Sequence, residues 1–153
     1  MIRFKLVVLL FLLSLITSCR NQATDETFPC DGVFYLNIEG NNGKQVCSKT
    51  IENYHIHNNK LIFSVLNNEL AGKVIFQIEL ESFDGPGLYQ LGKNYQNKCE
   101  LIVQGASDEF YKCTSGTFKV HEAGPENLNA VFDIVVEGFY NKKIIHAQGG
   151  VHL

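Results

Sequence analysis

The sequence predicts an all-β domain, a single antiparallel β-sandwich or barrel of about eight or nine strands. Three observations carry that expectation. Apolar residues recur with period two along most of the chain, the spacing of a half-buried strand. Clusters of Asn, Gly, Asp and Pro interrupt these runs at short intervals, as turns do. Beyond residue 18 no stretch carries the apolar stripe of an amphipathic helix, and only 67–70 or 126–128 have room for a helical turn.

The elements follow in order. Phe34, Leu36 and Ile38 mark a strand at 33–39, and Gly40-Asn41-Asn42-Gly43 contains the Asn-Gly hairpin signal that leads to a strand at 45–49. A strand at 51–57 is separated by Asn58-Asn59 from one at 60–66, in which Leu61, Phe63 and Val65 share a face. After Asn67-Asn68, a strand at 72–82 sets Val74, Phe76, Ile78 and Leu80 against Ile75, Gln77, Glu79 and Glu81. The segment Asp84-Gly85-Pro86-Gly87-Leu88-Tyr89-Gln90-Leu91 reads as a loop, because its Pro and Gly fix a tight turn. Strands at 98–104 and 109–121 form a hairpin around Gly105-Ala106-Ser107-Asp108. A turn centred on Ala106 sets Cys99 opposite Cys113, Leu101 opposite Tyr111 and Val103 opposite Glu109. Past Gly124-Pro125, a strand at 128–139 alternates Ala130, Phe132, Ile134 and Val136 with Val131, Asp133, Val135 and Glu137. Tyr140-Asn141 turns the chain into a last strand at 143–152. Phe34, Phe63, Phe76, Phe118, Phe132 and Ile134 are the expected core.

The chain has 153 residues, of which 45% are apolar and 19% charged, with a net charge of −3. That length suits one domain, which buries about two-thirds of its unfolded surface. The acidic balance argues against a nucleic-acid footprint.

The N-terminus reads as an export signal. Arg3 and Lys5 form a positive start, and Leu6 to Ile16 is an apolar run too short for a comfortable bilayer span. The residues Ile16-Thr17-Ser18-Cys19 then place small side chains directly before a Cys. This pattern resembles the lipobox of bacterial lipoproteins. The resemblance implies a signal peptide over 1–18, a diacylglyceryl group with further palmitate-type acylation on Cys19, a flexible tether through residue 29, and a β-domain over 30–153. The alternatives are an ordinary signal peptide with an incidental Cys, or an uncleaved anchor. Each buried CH₂ contributes about 0.8 kcal/mol, so two or three acyl chains make release negligible. Because the domain is acidic, the anchor on this reading is the lipid and not a basic face. Arg20 stands where an Asp would mark inner-membrane retention, which leans toward the outer membrane; periplasmic and surface faces stay open.

Four further cysteines remain, Cys30, Cys47, Cys99 and Cys113. An even count in an exported chain favours disulfides, here Cys30–Cys47 and Cys99–Cys113, the second from its hairpin register. Free thiols are the alternative. A zinc site has no C-x₂-C pair to support it.

Candidate chemistry is sparse. His55-Ile56-His57 puts two imidazoles on one strand face, a weak metal candidate, with Glu52 or Asp133 as an underived third ligand and His146 and His152 on a further shared face. Glu79 and Glu81 share a face at a glycosidase-like separation, but the domain has little room for a cleft and the solvated polar face of an amphipathic strand is the preferred reading. Leu88, Tyr89 and Tyr95 form a possible binding loop, against the plainer reading that Tyr89 closes one end of the core. None of the common nucleophile, zincin, P-loop or dinucleotide motifs is present.

Gly85-Pro86-Gly87-Leu88-Tyr89-Gln90-Leu91, with Ser115-Gly116-Thr117-Phe118 and Glu137-Gly138-Phe139, resembles the G-x-G-x-Y-x-L and Gly-x-Phe elements of small β-rich envelope lipoproteins of Bacteroidota. That family brings no known activity or site, so the resemblance implies only an envelope β-domain. The expected function is a lipid-anchored, non-enzymatic binding or structural module of the cell envelope. It needs no cofactor and no nucleic acid, and its partner is an envelope protein or glycan. The alternatives are a lipocalin-like carrier with a cavity of roughly 300 Å³ or more, an envelope hydrolase, or an inhibitor of cell-wall-degrading enzymes.

Overall fold

The computed structural model describes residues 30–39, 44–70, 72–103 and 109–153. The expected signal segment, Cys19, the expected tether and the turns expected at 40–43 and around Ala106 lie outside the described residues. Among the described residues there are ten strands and no helix. They are β1 (Phe34–Ile38), β2 (Lys44–Ser48), β3 (Asn53–His57), β4 (Lys60–Leu70), β5 (Gly72–Leu80), β6 (Gly87–Gly92), β7 (Lys98–Val103), β8 (Glu109–Ala123), β9 (Leu128–Gly138) and β10 (Ile144–His152). Nine follow one antiparallel path, β2-β1-β10-β9-β8-β7-β5-β4-β3, curled into a half-barrel, and β6 pairs with β8 beside that path.

Local chemistry explains most of the path. Asn58 and Asn59 both take positive φ (50° and 59°), so β3 and β4 meet in a two-residue turn whose twist matches the strands. The β7–β8 hairpin has the register expected from the sequence, with Leu101 opposite Tyr111 and Val103 opposite Glu109. The pairing of β1 with β10, Phe34 opposite Val151, joins the two ends of the domain and has no local cause.

Curling brings the inward faces of the two limbs together. Phe76 on β5 stacks on Phe132 of β9 at 4.5 Å between ring centroids, and Phe34 of β1 lies 5.4 Å from Phe76 and 5.9 Å from Phe63 of β4. These four rings are at most 3% exposed, and Phe118 and Ile134 are fully buried, so every expected core residue is in the core. Gly149 makes room for this quartet: a Cβ there would strike the Phe132 ring and the Tyr35 carbonyl. Two ties hold the limbs. The Asn67 amide donates to the Cys47 carbonyl (2.5 Å), linking β4 to β2. The Tyr54 hydroxyl of β3 lies 2.7 Å from the Gly124 carbonyl and 2.9 Å from that of Asn127, in the β8–β9 turn.

Two sequence expectations need correction. The segment holding Leu88 and Tyr89 is strand, not loop: Gly87–Gly92 is β6, hydrogen-bonded to residues 115–120 of β8. Its alternation of Tyr89 and Leu91 inward with Leu88 and Gln90 outward is short and sits behind Gly-Pro-Gly, which hid it. The long strand β8 serves β7 with its first part and β6 with its second, and a bulge between Cys113 and Ser115 separates the two. Gly92 (φ 122°) allows the close approach there, since a Cβ would collide with the Thr114 carbonyl.

The second correction concerns the cysteines. Cys30 and Cys47 form a disulfide, while Cys99 and Cys113 are buried thiols. The hairpin register brings the two thiols into hydrogen-bond contact, and the Cys113 thiol also lies 3.3 Å from the Ser115 carbonyl. Burial pushes the Cys99 thiol well up from its ordinary value.

Candidate functional site

The outward faces of β8, β9, β10 and β1 carry the most developed polar arrangement. Alternation sends Thr117 and Lys119 of β8, Val131 and Asp133 of β9, Gln148 of β10 and Tyr35 of β1 to this side. Between Tyr35 and Val131 the register places Gly150, which has no side chain to raise. The result is an open groove of about 260 Å³ lined by Tyr35, Thr117, Lys119, Val131, Phe132, Asp133, Gln148 and Gly149.

One wall is positioned by a charged row. His146 Nε2 lies 2.6 Å from Asp133 Oδ1, and His146 Nδ1 lies 3.1 Å from Glu39 Oε2. The hydrogen bond to Asp133, followed by that to Glu39, raises the imidazole pKa above its usual value. A protonated His146 donates to both carboxylates and fixes the Asp133 side chain at the groove. Lys119 has no carboxylate partner among the described residues. The groove therefore offers an ammonium, an oriented carboxylate, a hydroxyl, an amide and an aromatic ring. That set suits hydrogen bonding to a polar, hydroxyl-rich molecule, with the ring as an apolar wall.

The residues singled out from sequence are scattered around this groove. Leu88 is 61% exposed and pairs with Lys119 across β6 and β8, beside the groove. Tyr89 is buried; its hydroxyl lies 2.7 Å from Asp84 Oδ1 and 2.6 Å from the Gly85 carbonyl, closing one end of the core. Tyr95 is exposed in the turn after β6, its N–H donating to the Gly92 carbonyl. Leu88, Tyr89 and Tyr95 thus do not form one binding loop.

His55 and His57 are exposed on β3, at the far end of the sheet path from the groove, and His55 Nδ1 lies 3.2 Å from Asn53 Oδ1. Among the described residues no three His, Cys, Asp or Glu side chains are arranged so that they could hold a metal ion. Glu79 and Glu81 are tied into an ion-pair ladder, Glu81 to Lys60 and Glu79 to Lys60 and Lys98 at 3.9–4.0 Å. The bond to Lys60 holds the Glu81 carboxyl below its ordinary range.

Sequence reading weighed Asp133 and His146 separately and missed Glu39. Their meeting needs the β1–β10 pairing, which no local pattern reveals. Comparison with known proteins finds no matching family model, curated protein or solved structure.

Proposed function

We propose that this chain is a lipid-anchored, non-enzymatic binding module of the cell envelope, held by acylated Cys19 and engaging an envelope glycan through the groove on the outer sheet face. One observation carries the choice of surface. The Phe34, Phe63, Phe76 and Phe132 rings fill the hollow of the curled sheet, and the convergent polar groups stand outside it. A carrier needs the reverse arrangement, an empty apolar interior. The anchor is supported by the lipobox residues alone.

Each half has its own test. Cys19→Ala in the full chain moves it from the membrane fraction to the soluble fraction; a variant that stays with membranes overturns the anchor. Co-sedimentation of the full chain with isolated cell-wall glycan gives saturable binding. Asp133→Ala or Lys119→Ala weakens that binding about tenfold or more, as expected for loss of one charge-assisted hydrogen bond. Absence of binding, or binding indifferent to both substitutions, overturns the groove reading.

A further inference from the structure

A second surface lies at the end of the β9–β10 hairpin and is chemically unlike the groove. The connecting residues are Phe139-Tyr140-Asn141-Lys142, followed by Lys143 and Ile144. Their backbone is well held. The Gly138 N–H donates to the Lys143 carbonyl (2.8 Å), the Lys142 N–H to the Gly138 carbonyl (3.1 Å) and the Phe139 N–H to the Phe110 carbonyl (2.8 Å). Asn141 Oδ1 accepts from the Lys143 N–H, and its amide donates to Glu109, both at 2.8 Å.

This fixed turn directs apolar side chains into solvent. Phe139 is 52% exposed, Tyr140 80% and Ile144 69%. Phe139 meets Phe110 and Tyr140 edge-on, at 6.5 and 5.0 Å between centroids. Ammonium groups stand over the same rings. Lys112 Nζ is 5.8 Å from the Phe110 centroid and 5.9 Å from that of Phe139, and Lys142 Nζ is 5.6 Å from Phe139. Among the described residues Lys112 and Lys143 form no ion pair; Glu137 is taken by Lys93 and Lys142 and Glu109 by Asn141 and Tyr111, while Glu100 stands opposite Lys112 across β7 and β8 without an ion pair.

The composition decides what such a tip meets. The centre of a protein–protein interface is depleted of Lys and built on close-packed, complementary shape. Rings set edge-on with lysines threaded among them suit the other boundary, where aromatic side chains sit at headgroup depth and lysine ammonium groups reach phosphates. Lys93, Lys112, Lys142 and Lys143 against Glu100, Glu109 and Glu137 give that surface a positive balance. We infer that the β9–β10 tip, with Phe110 and Lys112 behind it, inserts into the interfacial region of an anionic phospholipid bilayer. The inference does not depend on acylation of Cys19 or on the groove.

The chain contains no Trp, so a single introduced Trp reports its own surroundings. The full chain is prepared as Tyr140→Trp and, separately, as Leu88→Trp, which reports from exposed β6 beside the groove. Each is mixed with vesicles of phosphatidylglycerol and brominated phosphatidylcholine, or of brominated phosphatidylcholine alone. The expected result is a blue-shifted Tyr140→Trp emission, quenched at least twofold by the brominated chains in the anionic vesicles and less in the neutral ones. Leu88→Trp is unquenched in both. The readout holds even if the N-terminal segment itself carries the protein onto the vesicle, because the two reporters then share that attachment. A Tyr140→Trp that stays water-exposed, one that shifts blue without quenching as in protein association, equal quenching of both reporters, or quenching indifferent to lipid charge overturns the inference.

Discussion

The molecule holds two sets of aromatic rings, and they sit in opposite solvents. The quartet Phe34, Phe63, Phe76 and Phe132 is at most 3% exposed and joins the two limbs of the curled sheet. Phe139 and Tyr140 are at least half exposed on a hairpin end, with two lysines over the Phe139 ring. Strand alternation accounts for the first set: each Phe occupies an inward position in a run of period two. It does not account for the second, because a turn has no inward face. Rings that stability would bury have therefore been left where they contribute little to folding and are free for contact. On the proposed reading, stability is assigned to the inside of the sheet and recognition to its outside and its hairpin end.

Substitutions should separate the two sets by magnitude. The largest loss is expected at the centre of the quartet. Phe76→Ala removes a ring packed against Phe34, Phe63 and Phe132 and should cost about 3–5 kcal/mol in urea unfolding. Gly149→Ala comes next, at about 1–3 kcal/mol, because the new methyl displaces the Phe132 ring or the β1 backbone. Tyr54→Phe deletes the hydroxyl tie between β3 and the β8–β9 turn and should cost about 1 kcal/mol, with faster amide exchange at Gly124 and Asn127 carrying the signature. The smallest effect is the pH response of His146. Its folded pKa is raised, so its contribution is full below the unfolded value of about 6.5 and fades as pH rises through the folded value. The groups are largely exposed, so the loss should stay under about 1 kcal/mol. It should vanish in His146→Gln when melting temperatures at pH 6 and pH 9 are compared.

The same inside–outside division marks what could be read without a structure. All six expected core residues are buried, and nine of the strands lie where alternation and turns placed them, because both signals are local. The register of β7 against β8 followed from one turn and is correct, although the bond inferred from it is not. Register sets Cys99 and Cys113 face to face, but facing thiols are not thereby joined. Strand β6 escaped because its partner is the far half of β8, and a Gly-Pro-Gly start conceals its alternation. The groove escaped for a similar reason. Glu39, Asp133 and His146 meet only once the first and last strands pair, and such long-range closure leaves no mark in a short window.

The division itself is tested most directly by measuring two variants in the same two assays. Phe76→Ala and Tyr140→Ser are compared for urea unfolding and for co-sedimentation with anionic vesicles. Phe76→Ala should lose about 3–5 kcal/mol while its folded fraction binds vesicles as the parent does. Tyr140→Ser should unfold within about 0.5 kcal/mol of the parent and lose most vesicle binding that the N-terminal segment does not supply. A Tyr140→Ser variant as unstable as Phe76→Ala, or one that binds vesicles undiminished, would contradict the account.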